Sequence, residues 1–270
     1  MPKRSGGAGE GVGQAMDMAQ FHDPMALLVM ALAAAVVGLA KGGLSGMGVM
    51  AVPVLALVLP PVQAAAILLP ILCLTDLVAT WTWWGSWSRR TLLLMLPGAV
   101  TGIGVGWLTA ALVSDDAVRL IVGGIALAFV GRWLWQLWRR RPQAPHPEQP
   151  AKASFWGALA GYTSFVAHAG GPPFQVYTLP LGLDPRVLTG TNVAFFAIVN
   201  YVKLVPYLAL GQFDARNLGA SALLAPLAVA FTFAGAAIIR RMRAEVFYPV
   251  TYALTALVGL KLVWDGLAAL

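Results

Sequence analysis

Two polar side chains that could bind an anion stand beside glycine clusters within otherwise apolar stretches of this sequence. Lys41 precedes the run 42–48, which reads GGLSGMG, and His168 precedes the run 169–173, which reads AGGPP. Glycine lets backbone amides approach a ligand without an intervening side chain. A helix that restarts after a break also presents free N–H groups and the positive end of its dipole. These residue types therefore favour the binding of a small anion.

The residues at and near the two glycine clusters form the predicted substrate-binding set. Neutral hydrogen-bonding side chains accompany the two cations, and a further lysine lies within a later apolar segment. Ionisable residues within membrane segments are candidates for function. The predicted set is Lys41, Gly43, Ser45, Gly46, Gly48, Ser164, His168, Gly170, Gly171, Gln175, Thr191, Asn192, Asn200 and Lys203.

Each member of this set also has a structural interpretation. Lys41 could extend to the membrane interface, His168 could make a structural hydrogen bond, and Lys203 could extend outward or pair with a carboxylate. The glycines could serve close helix packing. Packing is the favoured interpretation for three glycines spaced by four, which are Gly98, Gly102 and Gly106.

Asp76 is the only carboxylate deep within a long apolar segment, and two roles are open for it. It aligns with Asn200 in an internal repeat with an offset of 124 residues, so the two side chains are expected to meet between the halves of the protein. An unpaired carboxylate in that position could carry protons as the coupling ion. Alternatively, Asp76 could form a permanent salt bridge with Lys41 or Lys203.

Composition identifies the chain as an integral membrane protein whose surface contacts lipid. Of its 270 residues, 59% are hydrophobic and only 11% are charged, and the mean hydropathy is +0.75. A soluble domain carries about a quarter charged residues. The net charge of +7 comes from cations in short loops, which is the pattern of membrane topology and not of nucleic-acid binding. Tryptophans at helix ends predict an aromatic belt at the bilayer interface: Trp81, Trp83, Trp84, Trp87, Trp133, Trp135 and Trp138.

Enzymatic and metal chemistry are not favoured by the sequence. Of the three histidines, His22 and His146 lie in polar segments, so no histidine cluster is available for a metal site. The single cysteine, Cys73, has no partner for a disulfide or a metal. We expect no catalytic residue, no bound metal and no cofactor.

An internal duplication organises the chain. Each half contains five apolar segments, of which the first two are short and flank a glycine-rich break. Duplicated broken helices are typical of secondary transporters, which bind substrate between their halves. The predicted fold is an all-α integral membrane protein with two inverted repeats, because five segments per repeat is an odd number. The predicted parts are a disordered tail 1–23, a first repeat 24–141, a cytoplasmic linker 142–153 and a second repeat 154–270.

Loop charges predict the orientation in the membrane. With Arg89 and Arg90 in the cytoplasm, ten loop cations lie inside and only Lys3, Arg4 and Arg216 lie outside. The opposite orientation would reverse this ratio, against the positive-inside rule. Both termini are therefore expected on the periplasmic side. This orientation holds whether the short segments span the membrane or return as re-entrant hairpins.

The glycine-rich breaks, each followed by a short apolar run, resemble the sulfite exporter TauE/SafE family. A turn with glycine, an aromatic residue and arginine follows the third segment of each half, at 85–90 and 211–216, and is part of the resemblance. The resemblance implies a carrier in the bacterial inner membrane that exports sulfite or an organosulfonate by alternating access. Its expected partners are the anionic substrate, membrane lipid and, as a coupling ion, protons. Two alternatives are an anion channel and an accessory factor without transport activity.

Overall fold

The computed structural model describes residues 23–45, 47–55, 57–59, 61–109, 112–139, 144–209 and 218–269. Over these ranges the chain forms α-helices and short 3-10 turns, and no β-strand. The predicted tail, apart from Asp23, and the turn at 211–216 lie outside them. The helices are α1 Pro24–Gly42, α2 Ala51–Leu55, α3 Pro61–Thr82, α4 Arg89–Thr109, α5 Asp115–Trp138, α6 Pro150–Ala167, α7 Gly171–Thr178, α8 Pro185–Ala209, α9 Leu218–Arg241 and α10 Ala244–Ala268.

The predicted all-helical membrane fold is confirmed. Five helices are long and apolar enough to cross a membrane, namely α1, α4, α5, α9 and α10. The second segment of each half is short, as expected: the first half has a 3-10 turn at Met47–Met50 followed by α2, and the second has α7 followed by a 3-10 turn at Leu179–Leu181. The chain is therefore a multi-pass membrane protein.

Helix ends follow local capping rules. The Asp23 carboxylate accepts a hydrogen bond of 3.0 Å from the Met25 amide, and Pro24 occupies the first turn of α1. Helix α6 begins at Pro150, earlier than the apolar boundary at Ser154, because proline fits the first helical position without losing a needed N–H. Residues 150–153, within the predicted linker, are therefore helical.

Glycines bring α4 and α6 into backbone contact. A Cβ added to Gly98 or Gly102 would lie 2.1 or 2.0 Å from a carbonyl oxygen of α6. The reverse holds at Gly157 and Gly161, where the carbonyl oxygens of α4 would be 2.2 and 2.1 Å away. These distances exclude any side chain, and they confirm the packing role predicted for Gly98 and Gly102.

Helices α5 and α10, the last helices of the two predicted halves, run antiparallel to each other. In the α5–α10 pair, Gly123 approaches the carbonyl of Gly259, and Gly266 approaches the carbonyl of Asp116. Helix α1 packs along α9, the fourth segment of the second half, and α4 packs along α6, the first segment of that half. The two halves are therefore interleaved and do not sit side by side as separate bundles.

Several basic segments meet at one end of the bundle. Arg90 forms an ion pair of 2.8 Å with Glu148, and the Arg186 guanidinium donates to the carbonyl of Arg240 at 2.8 Å. Arg240 in turn donates to the carbonyl of Thr82. One end of the bundle therefore contains the start of α4, the segment before α6, the start of α8 and the end of α9. These are basic segments that the loop charges predict on one side of the membrane.

Candidate functional site

The first helix break depends on a glycine. Helix α1 ends at Gly42, and Gly43 has φ of 137°, a conformation that residues with a side chain rarely adopt. A Cβ at Gly43 would also lie 2.7 Å from Cγ2 of Thr189. The predicted residue Gly48 has more room, since its added Cβ would be 3.4 Å from the Ala40 side chain. Gly46, also in the predicted set, lies outside the described residues.

Trp83 contacts the first helix break, although its place at a helix end predicted a position in the aromatic belt at the lipid interface. Its side chain is 1% exposed, whereas those of Trp81 and Trp84 are 71% and 73% exposed. Its indole Nε1 donates a hydrogen bond of 3.0 Å to the carbonyl of Gly42, and the Arg240 guanidinium lies over its ring. The belt assignment was therefore wrong for Trp83, because a position at a helix end does not reveal which way the helix face points.

The second break is built differently. Helix α6 ends at Ala167, and His168 adopts a left-handed conformation with φ of 52° and is exposed. A Cβ on Gly170 would lie 2.7 Å from the Ser164 Cβ, so Gly170 serves close packing, whereas at Gly171 nothing lies within 4 Å.

The N-terminus of α7, where the helix resumes after this break, has few amide donors. Helix α7 begins with Gly171, Pro172 and Pro173, and proline has no N–H. The Phe174 amide already donates to the carbonyl of Gly170 at 3.3 Å. The helix terminus expected to offer an array of N–H groups to an anion therefore offers few, and side chains carry more of the polar character.

A buried ion pair connects the first break to the interface between the halves. Lys41 Nζ lies 2.5 Å from Asp76 Oδ1, and the Asp76 side chain is only 2% exposed. The other carboxylate oxygen accepts a hydrogen bond of 2.7 Å from Asn200 Nδ2. The expected contact between Asp76 and Asn200 is confirmed. Of the two roles open for Asp76, the structure contains the salt bridge, with Lys41 as its partner.

Lys203 is buried without a carboxylate partner among the described residues. It is 4% exposed, and its Nζ donates to the carbonyl and the hydroxyl of Ser164 at 3.1 and 3.0 Å. It interacts electrostatically with both Lys41 and Asp76, yet it neither pairs with Asp76 nor extends outward. With both lysines ionised, this centre carries one excess positive charge beside two neutral ligands, Ser164 and Asn200.

A second cluster of polar side chains connects the two helix breaks directly. Gln175 Nε2, in α7, donates to the hydroxyl of Ser45 at 3.2 Å, and the Thr255 hydroxyl donates to Gln175 Oε1 at 2.5 Å. Beside it lies a small cavity of about 10 Å³, space for about one water molecule. Its polar lining residues are Ser45, Gln175, Thr178, Thr189, Asn192 and Thr251.

Thr191 faces away from this cavity. Its hydroxyl accepts a hydrogen bond of 2.9 Å from the Ser88 amide and donates to the carbonyl of Val187 at 2.6 Å. It therefore attaches α8 to the turn before α4. Sequence reasoning selected it for its type and missed Thr189, which precedes Asn192 by three residues and thus shares its helix face. That spacing was the available signal.

The fold and these two polar centres define the class: a multi-pass α-helical membrane protein whose broken helices hold charged and neutral ligands within the bundle. The family model for the sulfite exporter TauE/SafE matches residues 30–262. The chain belongs to this family of membrane transporters. No curated protein and no solved structure gives a match.

Proposed function

We propose that this protein is a carrier that exports a small sulfur-containing anion, such as sulfite or an organosulfonate, across the bacterial inner membrane. Family membership supports the class of substrate. The single observation that carries the proposal is Lys203, a buried lysine whose described hydrogen-bond partners are the two neutral oxygens of Ser164.

A buried ammonium group needs a counter-ion. Taking an unpaired charge out of water is unfavourable by several kcal/mol, and neutral oxygens compensate only in part. The carboxylate of Asp76 is already bonded to Lys41 and Asn200. An anionic substrate that approaches Lys203 would supply the missing charge, and it would leave when the site opens to the other side.

The arrangement of the helices supports alternating access between inverted repeats. The antiparallel α5–α10 pair and the Asp76–Asn200 contact are what two inverted halves that face each other would produce. A substrate site between such halves becomes accessible from either side when one half rocks against the other. The polar centres lie at that interface.

Export of an anion does not require a coupling ion. The membrane potential contributes about 2.3 kcal/mol per charge per 100 mV, which corresponds to about a fifty-fold gradient of a monoanion at 100 mV. Since Asp76 is held in an ion pair, we infer that it positions Lys41 and that the transport is a potential-driven uniport. Proton coupling through Asp76 is the alternative, and the variant Asp76→Asn distinguishes the two.

Counter-flow in proteoliposomes tests the proposal. The purified protein is reconstituted, the vesicles are loaded with unlabelled sulfite, and uptake of radiolabelled sulfite is followed. A carrier gives saturable uptake that internal sulfite accelerates, whereas a channel gives flux without this acceleration. If neither sulfite nor a sulfonate moves, the proposal is wrong and an accessory role is favoured.

Two lysine variants provide the matched comparison. Lys203→Met should abolish counter-flow, because it removes the uncompensated charge. Lys261→Met is the control, since Lys261 pairs with Asp265 on its own helix at 2.5 Å and should be dispensable for flux. Equal flux in both variants would remove Lys203 from the mechanism.

A further inference from the structure

Three threonines line the small cavity beside Ser45, and one of them differs from the others. The hydroxyls of Thr178 and Thr251 each donate to the carbonyl four residues earlier in their own helix, at 2.9 and 2.8 Å. The Thr189 hydroxyl has no hydrogen-bond partner among the described residues, although the residue is only 3% exposed.

This arrangement is unusual for a buried hydroxyl. Buried polar groups are nearly always hydrogen-bonded, and a helical threonine can ordinarily donate to its own helix. Thr189 instead leaves its hydroxyl unused beside a cavity. An unpaired buried donor destabilises the empty protein, so its retention is explained by a ligand that accepts its hydrogen bond.

Two more neutral donors line the same cavity. Asn192 lies three residues after Thr189 on the same face of α8, and no described hydrogen bond occupies its amide. The Ser45 hydroxyl accepts its bond from Gln175 and so keeps its own proton free to donate. Thr189, Asn192 and Ser45 can thus each donate to one small acceptor.

A second pocket, which shares helix α8 with this cavity, is lined by three arginines and by Asp184 and Glu245. Arg186, Arg240 and Arg243 line an open pocket of about 450 Å³ at the end of the bundle where the basic segments meet. Arg186 lies about one helical turn before Thr189 on α8. Three arginines against two carboxylates leave the lining with one net positive charge, so an anion that enters from this end would be attracted to this pocket first.

We propose that the cavity is the first binding position of the transported anion, and that the Thr189 hydroxyl is a specificity-determining donor for a small, singly charged oxyanion. The inference rests on the proposed transport of an anion. The lining side chains are uncharged, so a second negative charge would be desolvated there without compensation. Because the cavity holds about one water, it must widen when the anion enters.

The test compares Thr189→Val with Thr178→Val, two substitutions of similar shape in one cavity. Thr189→Val should raise the KM for sulfite counter-flow by about tenfold or more, the loss of one hydrogen bond to a charged ligand. Its melting temperature without sulfite should equal or exceed that of wild type, because an unpaired donor is removed. Thr178→Val should instead lower the melting temperature, since it removes a satisfied hydroxyl. Thr232→Val is the control for KM, because Thr232 of α9 is buried, donates to the Ala228 carbonyl at 2.8 Å and does not line the cavity, so KM should stay within about twofold.

Further variants keep the proposal open to refutation if Thr189→Val folds poorly. Thr189→Ser should preserve KM, and Asn192→Ala should raise it. Nitrate, a singly charged oxyanion, should inhibit sulfite counter-flow more strongly than sulfate does.

Three results would overturn the inference. One is an unchanged KM in Thr189→Val or, where that variant does not fold, in Asn192→Ala. The second is a folded Thr189→Val whose melting temperature falls as far as that of Thr178→Val, and the third is inhibition by sulfate that equals or exceeds that of nitrate. Absence of any flux in wild type would be a different result, because it would refute the proposed function itself.

Discussion

Replacing Asp76 by asparagine distinguishes an ion-pair role from a proton-carrying role. The Asp76 side chain is 2% exposed and that of Lys41 is 17% exposed, so Asp76→Asn would leave a largely buried ammonium without its counter-ion. Breaking a buried ion pair from one side is destabilising by about 3–5 kcal/mol. Because Lys41 retains some access to water, we expect the lower value, about 3 kcal/mol. That loss corresponds to a melting temperature lower by about 6–12 °C for a domain of this size.

The assay measures thermal stability of the purified protein together with sulfite flux at several pH values. The double variant Lys41→Met, Asp76→Asn removes both charges, and it should recover most of the lost stability since neutral replacement of a buried pair is often tolerated. Lys41→Met alone should be destabilised as well. The two single variants and the double variant form a cycle, and we expect a coupling energy of at least about 1 kcal/mol between contacting residues.

One outcome would refute this reasoning. If Asp76→Asn is as stable as wild type and its flux no longer depends on pH, the carboxylate carries protons and is not the permanent partner of Lys41. If the single variant is unstable and the double variant recovers, the ion pair is structural. Flux in the recovered double variant that follows pH as wild type does would further support a uniport.

Orientation and the first break give two more predictions. In a Cys73→Ala background, Ala144→Cys should resist a membrane-impermeant thiol reagent in intact cells and react after the cells are opened, because the segment before α6 is expected in the cytoplasm; labelling in intact cells would reverse the proposed topology. Trp83→Phe should lower the free energy of unfolding by about 1–3 kcal/mol in thermal or denaturant unfolding, since the Gly42 carbonyl loses its indole donor. The control Trp84→Phe, at an exposed position, should change it by less than about 0.5 kcal/mol, and equal effects would remove the capping role from Trp83.

Helix existence and the class of protein followed from local properties of the sequence. Apolar segments long enough to span a bilayer must be helical because the membrane offers no water to satisfy the backbone. The break at Gly43 followed from glycine, which tolerates backbone conformations that other residues avoid, whereas at the second break the left-handed residue is His168. The duplication then predicted the contact between Asp76 and Asn200, since aligned positions in two interleaved halves come together.

The partners of individual side chains required the tertiary structure. Lys41, not Lys203, is the ion-pair partner of Asp76. Trp83 is buried within the bundle, whereas its neighbour Trp84 is exposed on the surface. Thr189 is left with an unused hydroxyl, although its type and position on α8 resemble those of Thr191. Sequence determines which residues lie in the membrane, because hydropathy and glycine act through neighbours along the chain. The pairing of buried charges and donors depends on helix rotation and on distances of a few ångströms between distant segments, and only packing sets these.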